Sequence, residues 1–208
     1  MLAKGSAPFV VVPAVLATLA ALGIFLAWAY WQPFTVCFVI LAGLAGFSAF
    51  FFRDPERRVG DGIVSPADGR VMAVQQGEGK LRIAIFMGPQ DVHVNRAPMD
   101  CTVVRVERKE GPHLPAYSKE SDRNAAMRWT LSTSAGEVVL WQITGAFARR
   151  IVPFVGEGAK LRKGERIGMI RFGSRVDVEL PAGSARPAVG VGDIVRAGTT
   201  KLASGVRP

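Results

Sequence analysis

The sequence predicts a β-rich α+β protein: two N-terminal transmembrane helices, then a mostly antiparallel β domain with a barrel-sandwich-like C-terminal part. Three observations predict it. Two long uncharged apolar runs open the chain, short Val- and Ile-rich segments punctuated by Gly and Pro follow, and the final stretch repeats a turn rhythm. The expected organisation is a helical hairpin over residues 1–52 and one soluble domain over 53–208.

Pro8 to Tyr30 is 23 residues without a charge, and Pro33 to Phe52 is another 20. Each is long enough to cross a hydrocarbon core of about 30 Å as a helix. Only Trp31 and Gln32 separate them, so a tight hairpin is expected, with Tyr30 and Trp31 at the membrane interface. Lys4 supplies the small basic start of a signal peptide, but a secretory apolar region is shorter and no second run follows it. Lys4 precedes the hairpin and Arg53, Arg57 and Arg58 follow it, which predicts both ends, and the soluble domain, on the cytoplasmic face of the cell (inner) membrane. Cys37 lies in the second run and Cys101 in the soluble part, so a disulfide framework is not expected. Residues 1–52 hold one of the 26 basic residues and none of the 17 acidic ones, leaving 25 against 17, or +8, on the remainder. With an apolar hairpin attached, an anionic membrane surface is a simpler partner than nucleic acid, for which no module is present.

In the soluble part, Arg70–Gln75, Leu81–Phe86 and Cys101–Arg108 read as strands. Met127–Ser132 and Glu137–Ile143 read as a hairpin around Thr133–Gly136. Val176, Val178 and Leu180 alternate with Arg175, Asp177 and Glu179, the pattern of a half-buried strand. Glu110–Arg123 is polar and reads as a mobile loop. Val155-Gly-Glu-Gly, Leu161-Arg-Lys-Gly-Glu-Arg-Ile-Gly and Val191-Gly-Asp-Ile-Val-Arg-Ala-Gly place turns between very short strands, like the layout of biotinyl and lipoyl carrier domains.

The chemistry-bearing residues are few. Gly-Ser occurs at Gly5-Ser6, Gly173-Ser174 and Gly183-Ser184, and such pairs are ordinarily turns or links. The middle pair differs because it lies between two apolar segments, Ile167–Phe172 and Val176–Leu180, where a flexible link would be out of place. Of the two histidines, His93 follows a predicted strand, and His113 sits in the polar loop, where a solvated bystander is the expected reading. Asp68, before Gly69, reads as a turn aspartate. Two histidines and two separated cysteines offer no metal-ligand cluster.

Together, Phe51-Phe-Arg-Asp-Pro-Glu-Arg57, Ser65-Pro-Ala-Asp-Gly-Arg-Val71, Asp91-Val-His-Val-Asn-Arg-Ala-Pro98 and Arg171-Phe-Gly-Ser-Arg-Val-Asp-Val178 resemble, in order, the phosphatidylserine decarboxylases in their short bacterial and archaeal form. The resemblance runs from about Phe51 to Ala203. It implies a proenzyme that cuts itself at Gly173–Ser174 into chains 1–173 and 174–208, which stay associated. Ser174 would become a covalent pyruvoyl group, the cofactor, with no metal and no pyridoxal phosphate. A Schiff base between that group and the amine of phosphatidylserine would then carry decarboxylation to phosphatidylethanolamine. His93 and Asp68 match the family's Asp-His-Ser arrangement, in which a base activates the serine and a carboxylate orients the base. Longer family members carry a further histidine where Arg96 stands here. Arg96, Arg149, Arg150, Lys119 and Arg123 are candidate contacts for the lipid phosphate, each equally readable as part of a solvated basic face. A homo-oligomer stays open.

Two other classes stay open on the residues alone. A non-enzymatic membrane adaptor with a lipoyl-like barrel-sandwich domain explains the anchor and the turn rhythm, though Lys163 lacks a carrier lysine's setting. A membrane serine hydrolase could use Ser174, His93 and Asp68, but lacks a Gly-x-Ser-x-Gly elbow.

Overall fold

The computed structural model describes residues 1–26, 31–77, 79–146, 150–171 and 174–205, without the side chains of Trp31 and Lys119. The chain divides into two compact units, Met1–Pro55 and Glu56–Pro208.

The first unit is a pair of helices, α1 (Ala7–Leu26) and α2 (Trp31–Phe51), both long and apolar enough to cross a membrane. Small residues make their contact: Ala17 and Ala20 are buried, and a Cβ on Gly23 would stand 2.5 Å from the Phe34 ring. Large apolar side chains such as Val15, Leu19, Val39 and Ile40 are exposed, as lipid-facing residues would be. The unit's two ends meet, with Asp54 N–H donating to the Met1 carbonyl at 2.7 Å. Trp31 and Gln32 do not form the expected connection. They open α2, because Pro33 in the first turn has no N–H to lose there. Tyr30 lies outside the described residues.

The second unit is built of strands, in chain order β1 (Ile63–Val64), β2 (Gly69–Gly77), β3 (Lys80–Met87), β4 (Val94–Arg96), β5 (Cys101–Lys109), β6 (Ala126–Thr133), β7 (Gly136–Thr144), β8 (Arg150–Pro153), β9 (Lys160–Leu161), β10 (Arg166–Arg171), β11 (Ser174–Pro181), β12 (Ala185–Pro187), β13 (Ile194–Val195) and β14 (Lys201–Gly205). They form a curled sheet in the order β13-β2-β3-β11-β7-β6-β5-β9 and two three-stranded sheets, β4-β10-β8 and β1-β14-β12. Every pairing is antiparallel. The β-rich fold class and the strands expected from alternation are thus present, including the β6–β7 hairpin.

Alternation places one face of each long strand inside. Val71, Ile83, Ile85, Trp129, Leu131, Leu140, Val176 and Val178 join one buried cluster with Ile167 and Ile170 of the small sheet. Cys101 and Cys37 are both free thiols. Burial first, then the charges of Asp100 and Glu165, pushes the Cys101 thiol up to about 11.

Gly69 begins β2 with φ +141°, and a Cβ there would lie 1.9 Å from the Phe86 carbonyl oxygen. Gly69→Ala must therefore separate β2 from β3, and is expected to lower stability by more than about 1 kcal/mol in denaturant unfolding. An unchanged transition would show that the close approach is dispensable.

Candidate active site

Ser174 opens β11, which is hydrogen-bonded on both sides. Its register partners are Met87 at the end of β3 and Thr144 at the end of β7. Directly opposite residues of an antiparallel ladder project from the same face, so Met87, Ser174 and Thr144 form a row across the sheet. Ser174 is fully buried, and its Oγ donates to Met87 Sδ at 3.4 Å. The other two Gly-Ser pairs are local turns: Ser6 Oγ donates to the Ala3 carbonyl and Ser184 Oγ to the Pro181 carbonyl, each three residues back. Ser174 is the one serine of the three that stands in a strand. Gly173 itself lies outside the described residues.

His93 stands immediately before β4. Ile170 N–H donates to its carbonyl at 3.3 Å, which ties it to β10 one residue before that strand ends at Arg171. The imidazole is buried, with Nδ1 2.9 Å from the Asp91 carbonyl oxygen. A carbonyl only accepts, so Nδ1 carries a proton, and in the neutral ring the lone pair is on Nε2. Asp68 does not supply this orientation. Its carboxylate takes both Arg57 Nη atoms, at 2.5 and 2.7 Å, and the Ala197 N–H at 2.7 Å. No hydrogen bond joins it to His93 among the described residues. A bidentate guanidinium fork matches a carboxylate better than an imidazole does, and Arg57 is within reach.

A chain of buried hydrogen bonds runs beneath the row. Trp129 Nε1 donates to Gln142 Oε1 at 2.8 Å, Gln142 Nε2 to Asn95 Oδ1 at 2.7 Å, and Asn95 Nδ2 to Met87 Sδ at 3.6 Å. Met87 sulfur is therefore shared by Asn95 and Ser174. The chain fixes the β4 strand after His93 against the β3 and β7 strands beside Ser174. Sequence reasoning missed Asn95 and Gln142; buried amides inside strands were the available signal.

Sequence comparisons decide the family. The sequence model of phosphatidylserine decarboxylase matches residues 44–203. The chain belongs to the phosphatidylserine decarboxylase family. It is similar to the phosphatidylserine decarboxylase proenzyme of Thermobifida fusca, 54% identical over 166 residues, which is 79% of this chain and 76% of that protein. The corresponding proenzyme of Streptomyces griseus is 50% identical over 161 residues, 76% of this chain and 74% of that protein. A proenzyme of Methanococcoides burtonii named for archaetidylserine decarboxylation is 43% identical over 213 residues, covering 98% of this chain and 96% of that one.

This family member differs from the half-buried strand expected of Val176–Leu180, because β11 is covered on both faces. Arg175 and Asp177 are buried on the face away from the Ser174 row. Arg175 Nε and Nη2 donate to the two Asp177 oxygens, each at 2.7 Å, and Arg82 Nη2 reaches Asp177 at 2.6 Å. Burial alone would lower the Arg82 guanidinium, but Asp177 and then Asp122 hold it above its ordinary value.

The same cluster corrects the expected mobile loop. Arg175 Nη1 donates to Ser121 Oγ at 2.9 Å, inside a short 3-10 turn over Lys119–Arg123. Asn124 Nδ2 bonds both the Leu114 and Thr144 carbonyls at 2.7 Å. The loop is thus fastened to β11 and β7. His113 is exposed, as expected of the histidine in this segment, and its Nδ1 lies 3.2 Å from Thr144 Oγ1.

The candidate phosphate contacts scatter. Arg96 is buried, with Nη1 donating to the Gly164 carbonyl. Arg123 is exposed on the 3-10 turn, and the Lys119 side chain and Arg149 lie outside the described residues. Arg150 begins β8 directly opposite Arg171. Burial, and then the Arg150 charge, lowers the Arg171 guanidinium below its ordinary value.

Asp177→Asn removes the fully buried anion that Arg175 and Arg82 share and leaves them the exposed Asp122, which lies 3.0 Å from each. A loss of roughly 3 kcal/mol is expected in denaturant unfolding, as for other broken buried pairs. A loss below about 1 kcal/mol would place the cluster with ordinary surface ion pairs.

Proposed function

We propose that this chain decarboxylates phosphatidylserine at a pyruvoyl group that it makes from Ser174, by cutting its own backbone between Gly173 and Ser174. The observation that carries the reading is a buried serine at the first position of a doubly paired strand, in a chain of this family. The relatives named as proenzymes support the cleavage step.

His93 Nε2 takes the Ser174 hydroxyl proton. The Oγ attacks the Gly173 carbonyl carbon, the peptide C–N bond breaks, and an ester joins the two residues. Loss of the Ser174 α-proton then eliminates the Gly173 carboxylate and leaves dehydroalanine; one water enters and one ammonia leaves. The residues around Ser174 suit the product. The site is buried, and Met87 and the Asn95–Gln142 pair hold its position without a second nucleophile. A pyruvoyl group there supplies a ketone that condenses with the substrate amine and accepts the electrons released as carbon dioxide departs. His93 then gives a proton to the substrate carbon. Asp68 acts at one remove, holding Arg57 and the Ala197 backbone against the segment that leads into β2.

Cleavage need not release the small chain. In residues 174–208, β11 is paired with β3 and β7, β13 with β2, and β14 with β1. Each of those partners precedes residue 173. The apolar helix pair would anchor the protein in the bilayer that carries its substrate, with the β unit on the cytoplasmic side where Arg53, Arg57 and Arg58 stay. An archaetidylserine presents the same amine and carboxylate, so lipid backbones are compared directly in the assay.

Ser174→Ala is expected to remain one 208-residue chain and to release no carbon dioxide from carboxyl-labelled phosphatidylserine in mixed micelles. His93→Ala should slow self-cleavage by about 100-fold or more on a denaturing gel. A normally processed and fully active His93→Ala protein would remove the base from the account.

A further inference from the structure

Three buried polar side chains lead, through Met87, to the serine proposed to react, and their order has a direction. Trp129 Nε1 can only donate, so the Gln142 carboxamide turns its oxygen to the indole. The Gln142 nitrogen then faces Asn95, whose oxygen accepts, and Asn95 is left to aim its own N–H at Met87 Sδ. An inverted Asn95 would set two amide nitrogens against each other. The fold makes room for this order. Gly168 stands opposite Asn95 in the β4–β10 ladder, and a Cβ on it would lie 3.2 Å from Gln142 Nε2 and 2.9 Å from the Val152 carbonyl oxygen.

A methionine side chain has three rotatable bonds and ordinarily fills space without a fixed orientation. Here Asn95 Nδ2 occupies one side of the Met87 sulfur at 3.6 Å, and the Ser174 hydroxyl donates to it at 3.4 Å. A serine Oγ has three staggered positions, and a pinned sulfur holds it in one. Because a thioether is a weak acceptor, the hydroxyl exchanges it for a base at small cost. A carboxylate in the same place would compete for the proton.

We infer that Asn95 is a positioning residue for self-cleavage, acting through the Met87 sulfur to set the Ser174 hydroxyl before it attacks. The inference rests on the proposed cleavage at Ser174. The role belongs to one step: once residue 174 has lost its hydroxyl, Met87 has nothing to accept from it. Asn95 and Met87 therefore govern processing more than the later decarboxylation.

The test uses full-length wild-type protein, Met87→Leu, Asn95→Leu and the double variant, each synthesised into liposomes with a pulse of labelled amino acid. Appearance of the small chain on a denaturing gel gives the processing rate, and kcat/KM for phosphatidylserine is then taken per processed chain. Leucine replaces methionine at nearly the same volume, so Met87→Leu keeps the packing. Each single variant is expected to lower the ratio of processing rate to kcat/KM by about 10-fold, the order expected of a misplaced reacting group. The double variant is expected to process no more slowly than the slower single variant, as residues acting through one contact do. Equal falls in both rates would reduce these side chains to ordinary packing and overturn the inference. Additive slowing in the double variant would overturn it too, as would Met87→Leu processing at the wild-type rate. Should Asn95→Leu fail to accumulate, the Met87→Leu ratio decides by the same criterion. A wild-type chain that decarboxylates without cutting at 173/174 would instead overturn the proposed function itself.

Discussion

The pairing of β11 on both of its edges is the constraint on which the proposed reaction centre depends. Met87 and Thr144 flank Ser174 in register, so the hydroxyl has one fixed place in the sheet. The bond proposed to break lies just outside that ladder, between the end of β10 at Arg171 and the start of β11. Backbone hydrogen bonds formed before cleavage would hold the new terminus afterwards, with no rearrangement of the core. A serine on a loop would offer neither advantage.

Each face of β11 is stabilised differently. On one side Val176 and Val178 enter the apolar core, and the Trp129–Gln142–Asn95 chain reaches the Met87 sulfur beside Ser174. Every buried amide in that chain has a partner, as low-dielectric surroundings demand. On the other side, Asp177 is shared by Arg175 and Arg82, and the 3-10 turn is drawn down by Ser121. That charged layer costs desolvation, which makes it a device for position more than for net stability. It holds the segment carrying His113 and Asn124 against β7.

Much of this architecture is legible locally. Uncharged length reports the two helices, period-two alternation reports β2, β3 and β5–β7, and the apolar flanks of Gly173–Ser174 distinguish it from two turn serines. What local patterns cannot report is pairing across the chain. Arg57 and Asp68, His113 and Thr144, and Asn95 and Gln142 meet only because strands distant in sequence become neighbours. For that reason Asp68 was expected on His93 yet binds Arg57, and a proline-flanked polar segment was expected to be loose yet is fastened. Alternation at Arg175 and Asp177 suggested a solvated face, because a charge partner in β3 has no signature in β11.

The central claim, that Ser174 becomes the cofactor by internal cleavage, is tested most directly by the intact mass of the purified protein under denaturing conditions. The account predicts two chains that meet at 173/174, with the small chain lighter than a serine-initiated 174–208 by one ammonia. A single unmodified 208-residue chain in a preparation that actively decarboxylates phosphatidylserine would contradict it.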